Sequence, residues 1–220
     1  MAVSTFSKED YLGTIFRYRA KNKEIKANQI AEKLAISNAA VTDMLKKLSA
    51  DGLVLYQPYK GISLTVVGEK LARDIVRRHR IWEMFLVQVV GLSWEKVHEE
   101  AHRLEHSSSR ELIDRLEEML GFPRFDPHGD PIPSRSGKIP SISNSLMLSE
   151  LGENTNAKVV RVIDYSEGFL SYLDEIGLKL NMKIKIMKKR IFDKTIQLQI
   201  NHRLCDISDE TARNIFVEIS

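Results

Sequence analysis

The sequence predicts a mainly α chain with a small β domain, in three parts: a winged helix-turn-helix over residues 1–70, a helical domain over 71–142 and a small β-barrel over 143–220. Three observations carry this. Two short amphipathic helices and a β-hairpin follow one another between Ile25 and Leu64, and long helical patterns then fill the chain to Leu120. Five of the six prolines fall in residues 122–141, and beyond them β-branched alternation takes over.

The first helix is expected to start at Ser7, whose hydroxyl can cap the amide of Asp10, and to end near Lys21-Asn22. Tyr11, Leu12, Ile15, Phe16 and Tyr18 recur along it at helical spacing. Asp10 reads equally well as the acid of a capping arrangement and as a ligand. A short helix over Ile25 to Ala35 follows, then a break at Ile36-Ser37, then a second helix from Asn38 to Asp51 ended by Gly52. Val41, Leu45 and Leu48 face inward on the second helix, and Asn38, Ala39, Thr42, Asp43, Lys46 and Lys47 face outward. Two helices joined by a tight turn read as a helix-turn-helix. Small and amide side chains at the start of its second helix can approach base edges, while the lysines suit phosphates. Ser37 in the turn and Ala27 at the start of the first helix join this DNA-contacting set.

Leu53 to Tyr56 and Ile62 to Leu64 flank Gln57-Pro58-Tyr59-Lys60-Gly61 and make a hairpin, the wing, with Lys60 at its tip reaching the DNA backbone or minor groove. From Thr65 a helix is expected to run to Val90. Its apolar positions, among them Leu71, Ile75, Trp82, Phe85, Leu86 and Val89, are too many for one small domain and suit a dimer interface. Gly91 breaks it. Ser93 should cap the next helix, and a further helix spans Ser108 to Leu120. The proline-rich segment cannot be regular helix or strand. Strands are then expected at Lys158 to Ile163, Lys183 to Met187, Ile196 to Ile200 and Ile215 to Ile219, with a short helix from Phe169 to Ile176.

With 43% apolar and 29% charged residues, the 220-residue chain has an ordinary globular composition. No apolar run approaches the roughly 18 residues of a membrane span and no signal-peptide pattern opens the chain, so it is expected in the cytoplasm, with no membrane partner. The single cysteine, Cys205, excludes an intramolecular disulfide and any cysteine-cluster metal site. Behind the net charge of +3 lies a polarity: residues 1–78 carry 14 Lys/Arg against 8 Asp/Glu, and residues 79–121 carry 5 against 9. A basic head suits a polyanion and an acidic middle suits a cation.

Four of the six histidines lie in that acidic middle, as His79-x3-Glu83 and His98-x3-His102-x2-Glu105-His106. At about 100° per residue, the last four side chains share one sector of a helix, and His79 and Glu83 sit one turn apart. Imidazoles and carboxylates so stacked can converge on a divalent cation. His98-Glu99-Glu100-Ala101-His102 also matches the H-E-x-x-H pattern of zinc hydrolases. Such an enzyme would need a third ligand, Glu117 or Glu118, and would leave His79, Glu83, Glu105 and His106 without a role. A winged-helix regulator with a purely structural histidine cluster is the remaining alternative.

The winged helix, His79-Arg80 with Glu83, Lys96 to Ala101, Glu105-His106 and the string Asp126-Pro127-His128-Gly129-Asp130-Pro131-Ile132-Pro133 together resemble the diphtheria toxin repressor family, the iron- and manganese-dependent transcriptional repressors. The resemblance covers nearly the whole chain and implies an SH3-like carboxy-terminal barrel, a homodimer and an operator-DNA partner. It also implies two adjacent metal sites: Asp10, His102, Glu105 and His106 at one, and His79, Glu83 and His98 at the other, completed from the barrel, where Asp164 and Glu167 are the candidates. His102 stands where iron-responsive members tend to have cysteine and manganese-responsive ones glutamate. Asp10 replaces the methionine of iron-type members, and Gly13 stands where the short manganese regulators carry glutamate. A donor set of Asp10, Glu105 and imidazoles lacks thiolate and thioether, so Mn(II) is the expected ion, with Fe(II) as the alternative. The expected function is a non-enzymatic, metal-dependent repressor that binds a palindromic operator and controls metal homeostasis genes.

Overall fold

The computed structural model describes residues 8–20, 25–57, 61–142, 144–163 and 165–220, and forms two compact units. One takes residues 1–79 with 133–138; the other takes 80–132 with 139–220. The helical middle of the chain and its β-rich end therefore share one compact unit.

In the first unit, α1 (Lys8–Ala20), α2 (Ala27–Leu34) and α3 (Asn38–Ala50) pack with the hairpin β1 (Val54–Tyr56) and β2 (Ile62–Leu64). Tyr11, Leu12, Ile15, Ile30, Val41, Leu45 and Leu48 are buried at the positions whose spacing predicts an inward face. Ala35 takes a left-handed φ of 51° and closes α2, with the Ile36 amide donating to Ala31 O at 3.0 Å. Ser37 caps α3 through its hydroxyl, which accepts from the Ala40 amide at 3.2 Å. The proposed cap Ser7 and the wing-tip Lys60 lie outside the described residues.

The helix α4 (Val66–Phe85) supplies Ala72, Ile75 and Val76 to this core and runs on into the second unit. The expectation of one α-helix to Val90 needs correcting. After Phe85 the backbone widens into a π-helical turn, Leu86–Val90, closed by Gly91 at φ 79°. Four of its five residues are Leu or Val, so periodicity there could not report pitch. Ser93 does not cap the next helix either: its hydroxyl binds the Glu95 carboxylate at 2.5 Å, and α5 (Val97–Glu105) begins beyond a turn at Lys96 without a side-chain cap. The following α6 (Arg110–Met119) is capped by Ser109.

The rest of the second unit is a six-stranded antiparallel sheet in the order β3-β8-β4-β5-β6-β7. It comprises β3 (Leu146–Met147), β4 (Asn156–Val162), β5 (Lys183–Lys189), β6 (Ile196–Ile200), β7 (Arg203–Ile207) and β8 (Ile215–Ile219), with α7 (Glu167–Glu175) and α8 (Asp209–Arg213) packed on it. The strands β3 and β7 are additions to the four expected. Among the described residues no helix is long and apolar enough to cross a membrane.

Candidate metal centres

Two groups of nitrogen and oxygen donors converge within the second unit. The first grows from α5 alone. Glu105 is 2% exposed, and its Oε1 lies 2.8 Å from His102 Nδ1 and 3.4 Å from His106 Nε2. The two imidazole rings meet edge to face, with centroids 5.1 Å apart. One donor atom from each of the three residues lies within 4.8 Å of the others. Helical spacing explains all three, because His106, at φ −73° and ψ −25°, keeps the helical backbone one turn after His102.

The second group centres on Glu83, also buried, in the last turn of α4. Its Oε1 faces His98 Nδ1 at 3.0 Å, and its Oε2 lies 4.0 Å from Nδ1 of His128 in the proline-rich segment. Glu83, Asp126 and His128 bring one ligand atom each within 4.8 Å of one another. His128 Nε2 lies 3.0 Å from the Trp94 carbonyl, which can only accept, so this nitrogen carries a proton and Nδ1 is the ring nitrogen turned toward Glu83.

This second group is fastened to the sheet. The Asp126 Oδ1 atom accepts the amides of His128 and Asp130, both at 2.9 Å, and so folds the proline-rich string around itself. Arg80 pairs with Asp126 at 3.2 Å and with Asp130 at 3.0 Å. From β4, Arg161 Nε lies 2.6 Å from Asp130 Oδ1, an ion pair in distance without the angle of a hydrogen bond. Tyr165 donates its hydroxyl to Asp130 and sets its ring beside His128 and His98, at centroid distances of 5.1 Å and 5.9 Å. Gly129, at φ 89°, lets the string touch β4, because a Cβ there would stand 2.2 Å from the Val160 carbonyl oxygen. Burial, reinforced by the Asp130 and Glu83 carboxylates, pushes Asp126 up to about 7. Burial acts on Asp130 too, but Arg80 and Arg161 outweigh it and hold that carboxyl below its usual range.

The donors fit a divalent cation. Both groups combine imidazole with carboxylate, both place a buried carboxylate at the centre, and neither includes a thiol; Cys205 belongs to β7 in the sheet domain. The remaining predicted residues fall as follows. Asp10 lies buried in the first turn of α1 in the first unit, and His79 is buried on α4 one turn before Glu83. Asp164 lies outside the described residues, and Glu167 is exposed at the start of α7, in none of the donor groups found among the described residues. Spacing missed Asp126 and His128, whose only signal was the Pro-His-Gly string. Of the H-E-x-x-H residues, His98 and His102 belong to different groups, and Glu99 is exposed and paired with Arg103 at 3.5 Å. Glu117 and Glu118 enter no donor group among the described residues.

On α3, Asn38, Ala39, Asp43, Lys46 and Lys47 are exposed. Thr42 is half-buried and returns its hydroxyl to the Asn38 carbonyl at 2.9 Å, and Ala27 is half-buried against the core.

Residues 4–62 match the family model described as iron dependent repressor, N-terminal DNA binding domain, and residues 65–134 match iron dependent repressor, metal binding and dimerisation domain. Residues 146–219 match the FeoA domain. The chain is 29% identical over 220 residues to a diphtheria toxin repressor of Corynebacterium glutamicum, covering 96% of this chain and 95% of that one. It is 31% identical over 189 residues to the iron-dependent repressor IdeR of Mycobacterium tuberculosis, covering 81% and 82%. A solved manganese-dependent transcriptional repressor in complex with manganese superposes with a TM-score of 0.89 at 31% identity, over 97% of this chain and 100% of that one.

Proposed function

The chain belongs to the family of iron-dependent repressors, and from that premise we propose that it is a metal-activated transcriptional repressor that binds palindromic operator DNA as a homodimer. Mn(II) is the activating ion, with Fe(II) as the alternative, at two centres per subunit, and metal-homeostasis genes are the targets. In this reading the chain acts in the cytoplasm and without catalysis; the separation of the two H-E-x-x-H histidines into different donor groups supports the second point.

The observation that carries this reading is Glu105, a buried carboxylate facing two imidazoles on α5. Asp10 joins His102, Glu105 and His106 as ligands of the first centre. His79, Glu83 and His98 hold the second with Asp126 and His128, and Asp164 is the sheet domain's candidate ligand. A bound divalent cation supplies positive charge where these carboxylates gather. Without that charge, Asp10 and Glu105 repel one another and the burial of each is penalised. Asp10 sits in the first turn of α1, whose other side chains make the core of the reading head. When Asp10 is held with the α5 residues, the head is fixed to the helical domain. In a dimer that sets the separation of two α3 helices against roughly one turn of DNA.

The test is the affinity for operator duplex in Mn(II) and in chelator. Metal should tighten binding about 5- to 150-fold, a coupling of about 1–3 kcal/mol. Equal affinity in both conditions would refute the reading, and repression in cells that follows iron and ignores manganese would reassign the ion.

A further inference from the structure

We propose that the outward face of β5 and the tip of the β5–β6 hairpin form a second DNA contact, which holds the phosphate backbone. The choice of ligand rests on the repressor reading above; the surface itself is argued from charge, register and exposure. Residues 183–194 carry six Lys/Arg against one acid, whereas the rest of 122–220 carries eight against twelve. The carboxy-terminal domain is thus bipolar, with its positive charge gathered on one strand and its turn.

The pairing register points three of these charges to one outward face, while Lys189, opposite the buried Ile196, turns its Nζ to the Ser149 and Leu151 carbonyls. On β5, Ile184 and Ile186 are buried, and Lys185 stands opposite Gln199 on the other face. A β-bulge after Ile186 then brings Lys188, rather than Met187, opposite Gln197. Lys183, Lys185 and Lys188 therefore share one face with Gln197, Gln199 and, across β4, Asn156. Lysines on strands often protect sheet edges, but β5 is an interior strand, hydrogen-bonded to β4 and β6. Lys183 also sits directly opposite Lys158, whose neighbour on the other side, on β8, is Glu218.

The tip adds a second anomaly. Ile191 is 96% exposed and Phe192 102%. They are held out by an ordered turn: the Arg190 amide donates to Thr195 O at 2.8 Å, Asp193 Oδ1 accepts the Thr195 amide at 3.0 Å, and Arg190 pairs with Asp206 at 2.8 Å. Two large apolar side chains fixed in water beside a lysine-and-amide face match what duplex DNA offers, phosphates for the cations and amides, and a groove or base step for an apolar wedge. An anionic bilayer fits less well, because two apolar residues bury little surface and Asp193 stands beside them at the tip.

The experiment uses full-length protein, a random-sequence duplex of about 40 base pairs and vesicles of anionic phospholipid, with Mn(II) or chelator, over a salt series. The variants are Lys183→Glu with Lys188→Glu, and Ile191→Ser with Phe192→Ser; thermal melting checks that both fold. The charge variant should bind DNA at least about tenfold more weakly in both metal conditions, with a salt slope shallower by about 1.8. The tip variant should lose several-fold at unchanged slope. Wild-type DNA affinity and slope in both variants would overturn the proposal, as would variants that lose only vesicle binding. Metal enhancement is read separately, on the operator duplex: if it persists while the variants bind normally, the repressor reading stands and this one falls. If it is absent while the variants still weaken binding, the reverse holds.

Discussion

Glu105 and Glu83 are both buried carboxylates facing imidazole, yet their partners come from different distances along the chain. Glu105 draws on His102 and His106, its neighbours on α5, and the two rings remain partly open to solvent. Glu83 draws on His98 from another helix and on Asp126 and His128 from the proline-rich segment. That second group is wired through Arg80, Asp130, Arg161 and Tyr165 into the sheet. The three donors around Glu105 are local in sequence and leave their imidazoles partly open to solvent, and in the proposed centre only Asp10 comes from elsewhere in the chain. The Glu83 group takes its donors from several segments and so exists only when its unit is assembled. Under the proposed function, the first group does the sensing and the second holds the sheet domain in place.

The sharpest way to break this contrast is to remove Arg80, the cation between Asp126 and Asp130. Arg80→Ala leaves two buried carboxylates short of their partner and should destabilise the second unit by about 3–5 kcal/mol. Calorimetry should show that loss in the transition of the second unit, with the first unit unchanged; a uniform shift of one transition would contradict it. Next comes Gly129→Ala. The added methyl meets the Val160 carbonyl and the left-handed backbone disfavours alanine, so a loss of about 3 kcal/mol is expected, with faster proteolysis of the segment after Pro133. Unaltered protection there would show that the string does not dock on β4.

Tyr165→Phe sharpens the comparison, because it keeps the ring beside His98 and His128 and removes only the hydroxyl bond to Asp130. It should cost about 1 kcal/mol and leave metal-activated DNA binding intact. An effect on DNA binding larger than on stability would mean that the sheet domain acts on the sensing group as well. Glu99→Gln should be the smallest change, within about 0.5 kcal/mol in stability and without effect on metal-dependent binding. A metal-dependent peptidase activity that vanishes in this variant would restore the hydrolase alternative.

The same contrast explains what could be read from the sequence. The reading head and the α5 group depend on residues within a few turns of one another, so their spacing displays them: Val41, Leu45 and Leu48 inward, His102 and Glu105 stacked. The Glu83 group depends on Asp126 folding a proline-rich string back on itself, which periodicity does not record. The strand β7 escaped because it lies at the sheet edge, with only Ile207 buried, and so lacks the apolar alternation that marks β6. Local chemistry points to Asp164 and Glu167 as barrel ligands, whereas Tyr165 and Arg161 are the side chains set against the Glu83 group and Asp130, by tertiary contact.

The division of labour itself is tested most directly by Glu105→Gln, a change of charge at nearly constant shape. DNA affinity should be measured for this variant in Mn(II) and in chelator, beside the melting profile of the second unit. The expected result is one weak affinity, the same in both conditions and equal to that of the metal-free wild type, with the melting profile unchanged. A Glu105→Gln protein that still tightens on DNA when Mn(II) is added would contradict the assignment of sensing to the α5 group.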